Sequence, residues 1–180
     1  MLKKWLNRNK KGNTILWSTT SEFDEIWKKR ITIMASNINI PGIVADFGCG
    51  LMWLEVLLNQ ENSYLPIDYI ARDVRTLVID LNVDPVPELN AEIAFLSGVL
   101  EYVKDVNNFV DQLTSRGFKK IILSYCTYEK FSDVNNRISL NWVSHESIFS
   151  ILSLFTTKYN LIAIDDVNNN TILVFERKSV

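Results

Sequence analysis

Ile43-Val44-Ala45-Asp46-Phe47-Gly48-Cys49-Gly50 is the stretch that decides the fold. Three apolar residues run into an acid and then into two glycines one residue apart, and Leu51, Leu54, Leu57 and Leu58 follow at helical spacing. The pattern predicts a buried strand, a tight turn and a helix. A Gly-x-Gly turn lets backbone approach a ligand where a Cβ would collide, and it points the free N–H groups of the next helix at that ligand. The same glycines also suit a strand-to-helix turn for steric reasons alone.

Upstream, Thr19-Thr20-Ser21-Glu22 is a capping-box pattern, with Phe23, Ile26, Trp27, Arg30, Ile31 and Met34 following at helical spacing. An amphipathic helix is expected to start near Ser21, and Pro41-Gly42 closes that region. Downstream, Asn62-Ser63 is a break, and Tyr64–Asp68 and Thr76–Asn82 read as strands that end at or near acids. Pro85 and Pro87 mark a loop before a fourth strand over Ala91–Gly98. Val106, Phe109, Val110 and Leu113 form the buried face of a helix capped by Asp105 and closed by Gly117. Lys120–Tyr125 reads as a fifth strand, and Ser144 as the cap of a helix carrying Ile148, Phe149, Leu152 and Phe155. Leu161–Val167 and Thr171–Glu176 form a hairpin around Asn168-Asn169-Asn170.

Strands alternating with helices predict an α/β fold: a doubly wound, mostly parallel sheet covered on both faces, with the closing hairpin antiparallel at its side. One domain spans residues 1–180. Within it, 1–42 is expected to form an N-terminal helical lid segment and 43–180 the ligand-binding core.

At 47% hydrophobic and 22% charged residues, the chain is ordinary globular material. A net charge of -2 argues against nucleic acid as a partner, and Lys3, Lys4, Arg8, Lys10 and Lys11 read as a solvated tail. No apolar run reaches the roughly 18 residues of a membrane span, and the first residues lack the apolar core of a signal peptide. The expected location is cytoplasmic, where the sequon Asn169-Asn170-Thr171 has no use. Cys49 and Cys126 give neither a disulfide framework nor a metal cluster, so no metal is expected.

In an open parallel sheet the ligand lies beyond the carboxyl ends of the strands, where the strand order reverses. Asp46, Asp68 and Asp80 fall at that edge. A carboxylate there accepts two hydrogen bonds from vicinal ribose hydroxyls, or one from the amino group of adenine. Each acid alone serves equally as a helix cap. Three in succession favour binding.

On these residues the chain resembles the class I S-adenosylmethionine-dependent methyltransferases, over roughly Ile43 to Glu176. Asp46-Phe47-Gly48-Cys49-Gly50 is similar to their first motif, Asp68 to the ribose-binding acid after the second strand, and Asp80-Leu81-Asn82 to the adenine-side motif. Val99-Leu100-Glu101-Tyr102-Val103-Lys104-Asp105 is similar to a segment common in one branch of the family. The resemblance implies a Rossmann-like, seven-stranded sheet with the last hairpin inserted beside the fifth strand. It also implies S-adenosyl-L-methionine as cofactor, held by the first motif, by Asp68, Asp80, Leu81 and Asn82, and by Ser97, Gly98 and Tyr102.

Two departures stand out. Met52 occupies a position where the family often has a third glycine. The links from Asp68 to Thr76 and from Asn82 to Ala91 are short for parallel crossovers, which usually need a dozen residues or more, so two helices are expected to be shrunken or lost. The competing cofactor is a nicotinamide dinucleotide. Its G-x-G-x-x-G fingerprint would place a glycine at Trp53, and Asp46 would repel phosphate.

The implied reaction is methyl transfer to a small-molecule or saccharide acceptor. The donor is already activated, so the protein's part is orientation, which can supply about 7–11 kcal/mol of the barrier. Glu101, Tyr102 and His145 are the candidates for a base. Glu101 reads equally as a helix-start carboxylate and His145 as a capping residue. Tyr102 is either a core residue or an aromatic face for the sulfonium, worth about 0.5–2 kcal/mol. Trp17 lies on the lid side and Trp142 on the acceptor side, while Trp5, Trp27 and Trp53 read as core or flank. With few inserted residues, the acceptor pocket is expected to be shallow, or completed by a homodimer mate or partner subunit. The alternative is a methyltransferase-like binding or partner protein without catalysis, which Met52 and the trimmed helices support.

Overall fold

The computed structural model describes residues 24–179. The basic tail, the capping box with Ser21, Trp5, Trp17 and residues 1–23 of the expected lid lie outside the described residues. Strands β1 (Gly42–Phe47), β2 (Asn62–Asp68), β3 (Leu77–Val78), β4 (Ile93–Ser97), β5 (Lys120–Tyr125), β6 (Tyr159–Val167) and β7 (Asn170–Arg177) form one sheet in the order β3-β2-β1-β4-β5-β7-β6. The first five are parallel, and β7 runs antiparallel between β5 and β6. This is the doubly wound sheet that the sequence predicts, with the hairpin inserted beside β5 as the resemblance implies.

The apolar runs build it because each strand alternates between two cores. Ala45, Phe47, Ala94, Leu96, Ile121, Leu123, Leu173 and Phe175 face one side, where α2 (Val106–Ser115) and α4 (Ile148–Phe155) pack. Val44, Ile93, Phe95, Ile122, Ile172 and Val174 face the other, where Ile31 and Met34 of α1 (Glu25–Ala35) complete the cluster. A short helix, α3 (Val134–Ser139), follows β5 and has no counterpart in the sequence reading.

Caps set the helix starts. Asp24 Oδ1 accepts from Ile26 N–H at 2.8 Å and opens α1. Asp105 Oδ1 accepts from Asn108 N–H at 3.0 Å, and Gly117, at φ +81, follows the end of α2 as expected. At α4 the cap is Ser147, whose Oγ accepts from Ser150 N–H at 3.0 Å. The expected cap, Ser144, instead shares a hydrogen bond with Tyr125 Oη at 2.8 Å.

The region between β1 and β4 departs most from expectation. No α-helix follows Gly50: only a 3-10 turn, Glu55–Leu57, interrupts the link to β2. Gly48, Gly50 and Met52 all take positive φ (70, 52 and 57), so the chain coils through tight turns before a helix can nucleate. Leu54, Leu57 and Leu58 still pack on the sheet, which accounts for their helix-like spacing. The third strand shrinks from Thr76–Asn82 to Leu77–Val78, because Asp80 starts a turn in which Val83 N–H and Asp84 N–H both donate to its carbonyl, at 2.9 and 2.7 Å. Neither link flanking β3 contains a helix, in line with the two short crossovers.

Candidate functional site

The strand order reverses between β1 and β4, and a cavity of about 470 Å³ opens beyond the carboxyl ends of the strands there. Its floor is the turn after β1. Gly48 N–H and Cys49 N–H both donate to Ile67 O, at 2.8 and 3.0 Å, which binds the turn to β2. A Cβ on Gly48 would stand 2.6 Å from Val99 Cγ2, so glycine is what lets the turn pass under the β4 end.

The β1–β2 side carries the acids. Asp46 is buried, and Tyr64 Oη donates to its Oδ2 at 2.7 Å. Burial pushes its carboxyl up to about 7, the Tyr64 hydrogen bond opposes this, and the charge of Asp68 adds to it. Asp68 is buried rather than solvent-facing: Arg72 Nε and Gly50 N–H donate to its Oδ2 at 3.0 and 2.9 Å. Cys49 Sγ sits 4.0 Å from the same oxygen, and burial drives that thiol far above its ordinary value. Asp80 is exposed at the rim. Asn82 bridges the rim to the turn after β4, its Nδ2 donating to Tyr102 O at 3.0 Å and its Oδ1 accepting from Lys104 N–H at 2.8 Å.

The far side is built by β4, α1 and the loop after α3. Ser97 and Gly98 end β4, and Gly98 N–H donates to Ser124 Oγ at 3.0 Å. Arg30 of α1 donates from Nε to Ser97 Oγ at 3.0 Å. Tyr102 lines the cavity, and its Oη accepts from Trp142 Nε1 at 3.2 Å.

Of the residues singled out in the sequence, the cavity is lined by Asp46, Gly48, Cys49, Asp68, Asp80, Leu81, Asn82, Ser97, Gly98 and Tyr102. Phe47 lies in the core against Phe109 and Phe118, and Gly50 reaches the site only through its N–H on Asp68. Glu101 and His145 do not line the cavity. Glu101 is buried, its Oε1 accepting from Cys126 N–H at 2.9 Å and its carbonyl from Val143 N–H at 2.8 Å, and burial pushes its carboxyl up. His145 Nδ1 accepts from Arg137 Nε at 3.0 Å, so its ring proton sits on Nε2. Arg137 is fully buried and also donates to the carbonyls of Cys126, Phe131 and Ser144, at 3.0, 3.1 and 2.9 Å. It ties the loop after β5 to the loop that brings Asn141 and Val143 to the cavity.

The sequence reading missed Arg30, Tyr69, Arg72, Asn141 and Val143 as lining residues and assigned Trp27 to core or flank. The one signal for Arg30 was a cation within the otherwise apolar stripe of α1. No group of residues suited to a metal ion occurs among the described residues.

No protein-family model matches the chain, and no curated protein does. Solved structures do match. The PH0226 protein from Pyrococcus horikoshii OT3 superposes with a TM-score of 0.70 at 11% identity, covering 93% of this chain and 100% of that one. A Haloferax volcanii complex that contains the Trm112 methyltransferase activator gives 0.69 at 10%, covering 99% and 96%. The N-methyltransferase NodS from Bradyrhizobium japonicum WM9, in complex with S-adenosyl-L-homocysteine, gives 0.65 at 12%, covering 98% of each chain. With its sheet order, inserted hairpin and cavity at the switch point, the chain has the fold of the class I S-adenosylmethionine-dependent methyltransferases.

Proposed function

We propose that the chain is an S-adenosylmethionine-dependent methyltransferase acting on a small-molecule or saccharide acceptor in the cytoplasm. The observation that carries this reading is the cavity of about 470 Å³ at the switch point, floored by a glycine turn and walled by carboxylates. The residues fit the cofactor: Gly48 leaves room for close approach, Asp68 suits a ribose, and Asp46, its carboxyl pushed up to about 7 by burial, suits an ammonium that would favour its ionised form. NodS, with S-adenosyl-L-homocysteine, supports the assignment by likeness of fold.

S-adenosyl-L-methionine would supply a methyl group already activated by the sulfonium charge. Asp68 holds one ribose hydroxyl through Oδ1, since Oδ2 is occupied by Arg72 and Gly50. Ile79, Leu81 and Val103 give a flat base its apolar walls, with Asp80 and Asn82 at the rim. Asp46 faces the ammonium, and Ser97, Gly98 and the Tyr102 ring close the side toward the acceptor. Glu101 and His145 act as positioning residues, fixing the turn that carries Tyr102 and the loop that carries Val143.

Helix α1 is part of a lid made by residues 1–42 within a single domain, and Trp27, Arg30 and Ile31 are its cavity face. A cavity of this size suits one drug-sized ligand, so the acceptor binds at the mouth, where a homodimer mate or partner subunit completes its site. The Haloferax volcanii activator complex is a precedent for such a partner. No helix among the described residues is long and apolar enough to cross a membrane.

Calorimetric titration tests the reading. S-adenosylmethionine and S-adenosylhomocysteine bind and NAD does not; NAD binding alone overturns the assignment. Ligand binding without transfer is the second reading, favoured by the absence of Glu101 and His145 from the cavity wall. A methyl-transfer screen with purified small molecules and sugars separates the two.

A further inference from the structure

Asn141 follows the end of α3 and lines the cavity on the side away from the acids of β1 and β2. Its backbone is left-handed, at φ +59, and its N–H donates to Ile138 O at 2.9 Å. Asparagine tolerates that conformation at a helix end, though glycine adopts it with no Cβ penalty. The residues that follow are pinned: Trp142 N–H donates to Arg137 O at 3.0 Å, and Val143 N–H and Ser144 N–H donate to Glu101 O at 2.8 and 3.2 Å. The backbone under Asn141 is fixed before any ligand arrives.

The helix end accounts for this backbone and leaves the side chain without a task. Among the described residues the Asn141 amide makes no hydrogen bond, although the residue is half-buried. Other polar side chains of that wall are engaged: Ser97 Oγ accepts from Arg30 Nε at 3.0 Å, and Tyr102 Oη accepts from Trp142 Nε1 at 3.2 Å. Asn141 therefore offers an unspent carbonyl oxygen beside an unspent NH2 group. Trp27, Ile31, Val99 and Val143 supply the apolar part of the same wall.

We propose that Asn141 is the acceptor-recognising residue, its amide pairing edge to edge with a ligand that carries a carbonyl beside an N–H on a flat, largely apolar frame. Such a group returns one hydrogen bond to each half of the asparagine amide, and its frame covers the apolar wall. A saccharide fits poorly, because most of its hydroxyls would be left unpaired against Ile31, Val99 and Val143. Assigning this ligand to the methyl acceptor rests on the methyltransferase reading. The amide pairing does not need it.

The test uses the wild type, Asn141→Gly and Asn141→Asp. Calorimetry is run with benzamide, with acetophenone, which keeps the carbonyl and lacks the N–H, with benzamidine and with methyl glucoside, each with and without saturating S-adenosylhomocysteine. Glycine suits the left-handed turn, so Asn141→Gly keeps the wild-type melting temperature. Benzamide is expected to bind the wild type about tenfold tighter than acetophenone or methyl glucoside, and Asn141→Gly to abolish that preference. Asn141→Asp, whose carboxylate only accepts, moves preference from benzamide to the amidinium of benzamidine by about tenfold. A residue that merely ends a helix would produce no such exchange.

No benzamide binding, equal affinity of the wild type for benzamide and acetophenone, or unchanged benzamide affinity in Asn141→Gly overturns the proposal. Should S-adenosylhomocysteine fail to bind the wild type, the methyltransferase reading fails, and the benzamide arm without nucleoside still decides for or against the amide pairing. If Asn141→Gly does not fold, Asn141→Asp carries the same comparison.

Discussion

Arg72 Nε lies 3.0 Å from Asp68 Oδ2, and the N–H of Gly50 reaches the same oxygen at 2.9 Å. With side chains 11% and 3% exposed, the pair is buried, and only Oδ1, 3.4 Å from Ile70 N, is left for a ligand. The structural task of Asp68 and its proposed binding task can therefore be separated by mutation. Asp68→Ala removes the carboxylate that Arg72 Nε and Gly50 N–H share and is expected to cost about 3 kcal/mol in urea unfolding. Asp68→Asn keeps an acceptor oxygen, folds, and lowers affinity for methylthioadenosine about tenfold. Wild-type affinity in folded Asp68→Asn rules out the ribose contact.

Asp46 gives a pH signature. Its folded value of about 7 lies above the 3.8 of the free side chain, so the native state holds the proton more tightly. The contribution of Asp46 to stability is therefore greatest below about pH 4, falls as pH climbs toward 7, and stays reduced above it, by on the order of 4 kcal/mol. Asp46→Asn removes that slope. It is near neutral at about pH 4 and stabilising by a few kcal/mol at about pH 8, as read by denaturant midpoints across the range. A mutant–wild-type difference that does not vary with pH means the carboxyl is not held protonated.

Gly48 is the tightest point of the turn. Gly48→Ala meets Val99 Cγ2 at 2.6 Å and forces an L-residue to φ +70, the backbone alone costing about 1–2 kcal/mol. The double mutant Gly48→Ala/Val99→Ala relieves the clash and keeps the backbone cost, so it recovers only part of the lost melting temperature. Full recovery would assign the whole effect to the side-chain contact.

Arg137 is a fully buried cation with a structural assignment. Its N–H groups reach Tyr125 Oη at 3.2 Å, His145 Nδ1, and the carbonyls of Cys126, Phe131 and Ser144, and it does not line the switch-point cavity. Arg137→Met takes a donor from each of these acceptors, of which Tyr125 Oη keeps Ser144 and Glu146, and is expected to cost more than about 3 kcal/mol. It lowers stability before it touches nucleoside affinity. A stable mutant with lost binding would reverse that order and place Arg137 at the site.

Much of this was legible in the chain, for reasons that differ by residue. Strands β1, β4 and β5 announce themselves because both faces of a parallel sheet are buried, so Ile43–Ala45, Ile93–Leu96 and Ile121–Leu123 read as unbroken apolar runs. Asp105 and Gly117 bracket α2 because capping is local chemistry. The missing helix after Gly50 was not legible, since Leu54, Leu57 and Leu58 bury themselves at helix-like intervals from a coil, and the left-handed Met52 has no sequence mark. Ser144 and Ser147 are equally good caps on paper. Tyr125, from a strand about twenty residues earlier, takes Ser144 away. Arg30 was hidden for a similar reason: its acceptors Ser97 and Asn170 are 67 and 140 residues distant.

The two-position pairing of β3 with β2 leaves one end of the sheet weakly fastened. Amides of β1, β4 and β5 can exchange with solvent only when the whole molecule unfolds, whereas those of 77–84 need no more than a local opening. The rim carrying Asp80, Leu81 and Asn82 belongs to that weak end. A nucleoside that bridges it to Asp68 closes the opening, so bound ligand slows hydrogen exchange there far more than in the central strands. Part of the intrinsic affinity is thereby consumed in ordering the rim. Shortening the 79–92 link without disturbing Asn82 would return it as tighter binding.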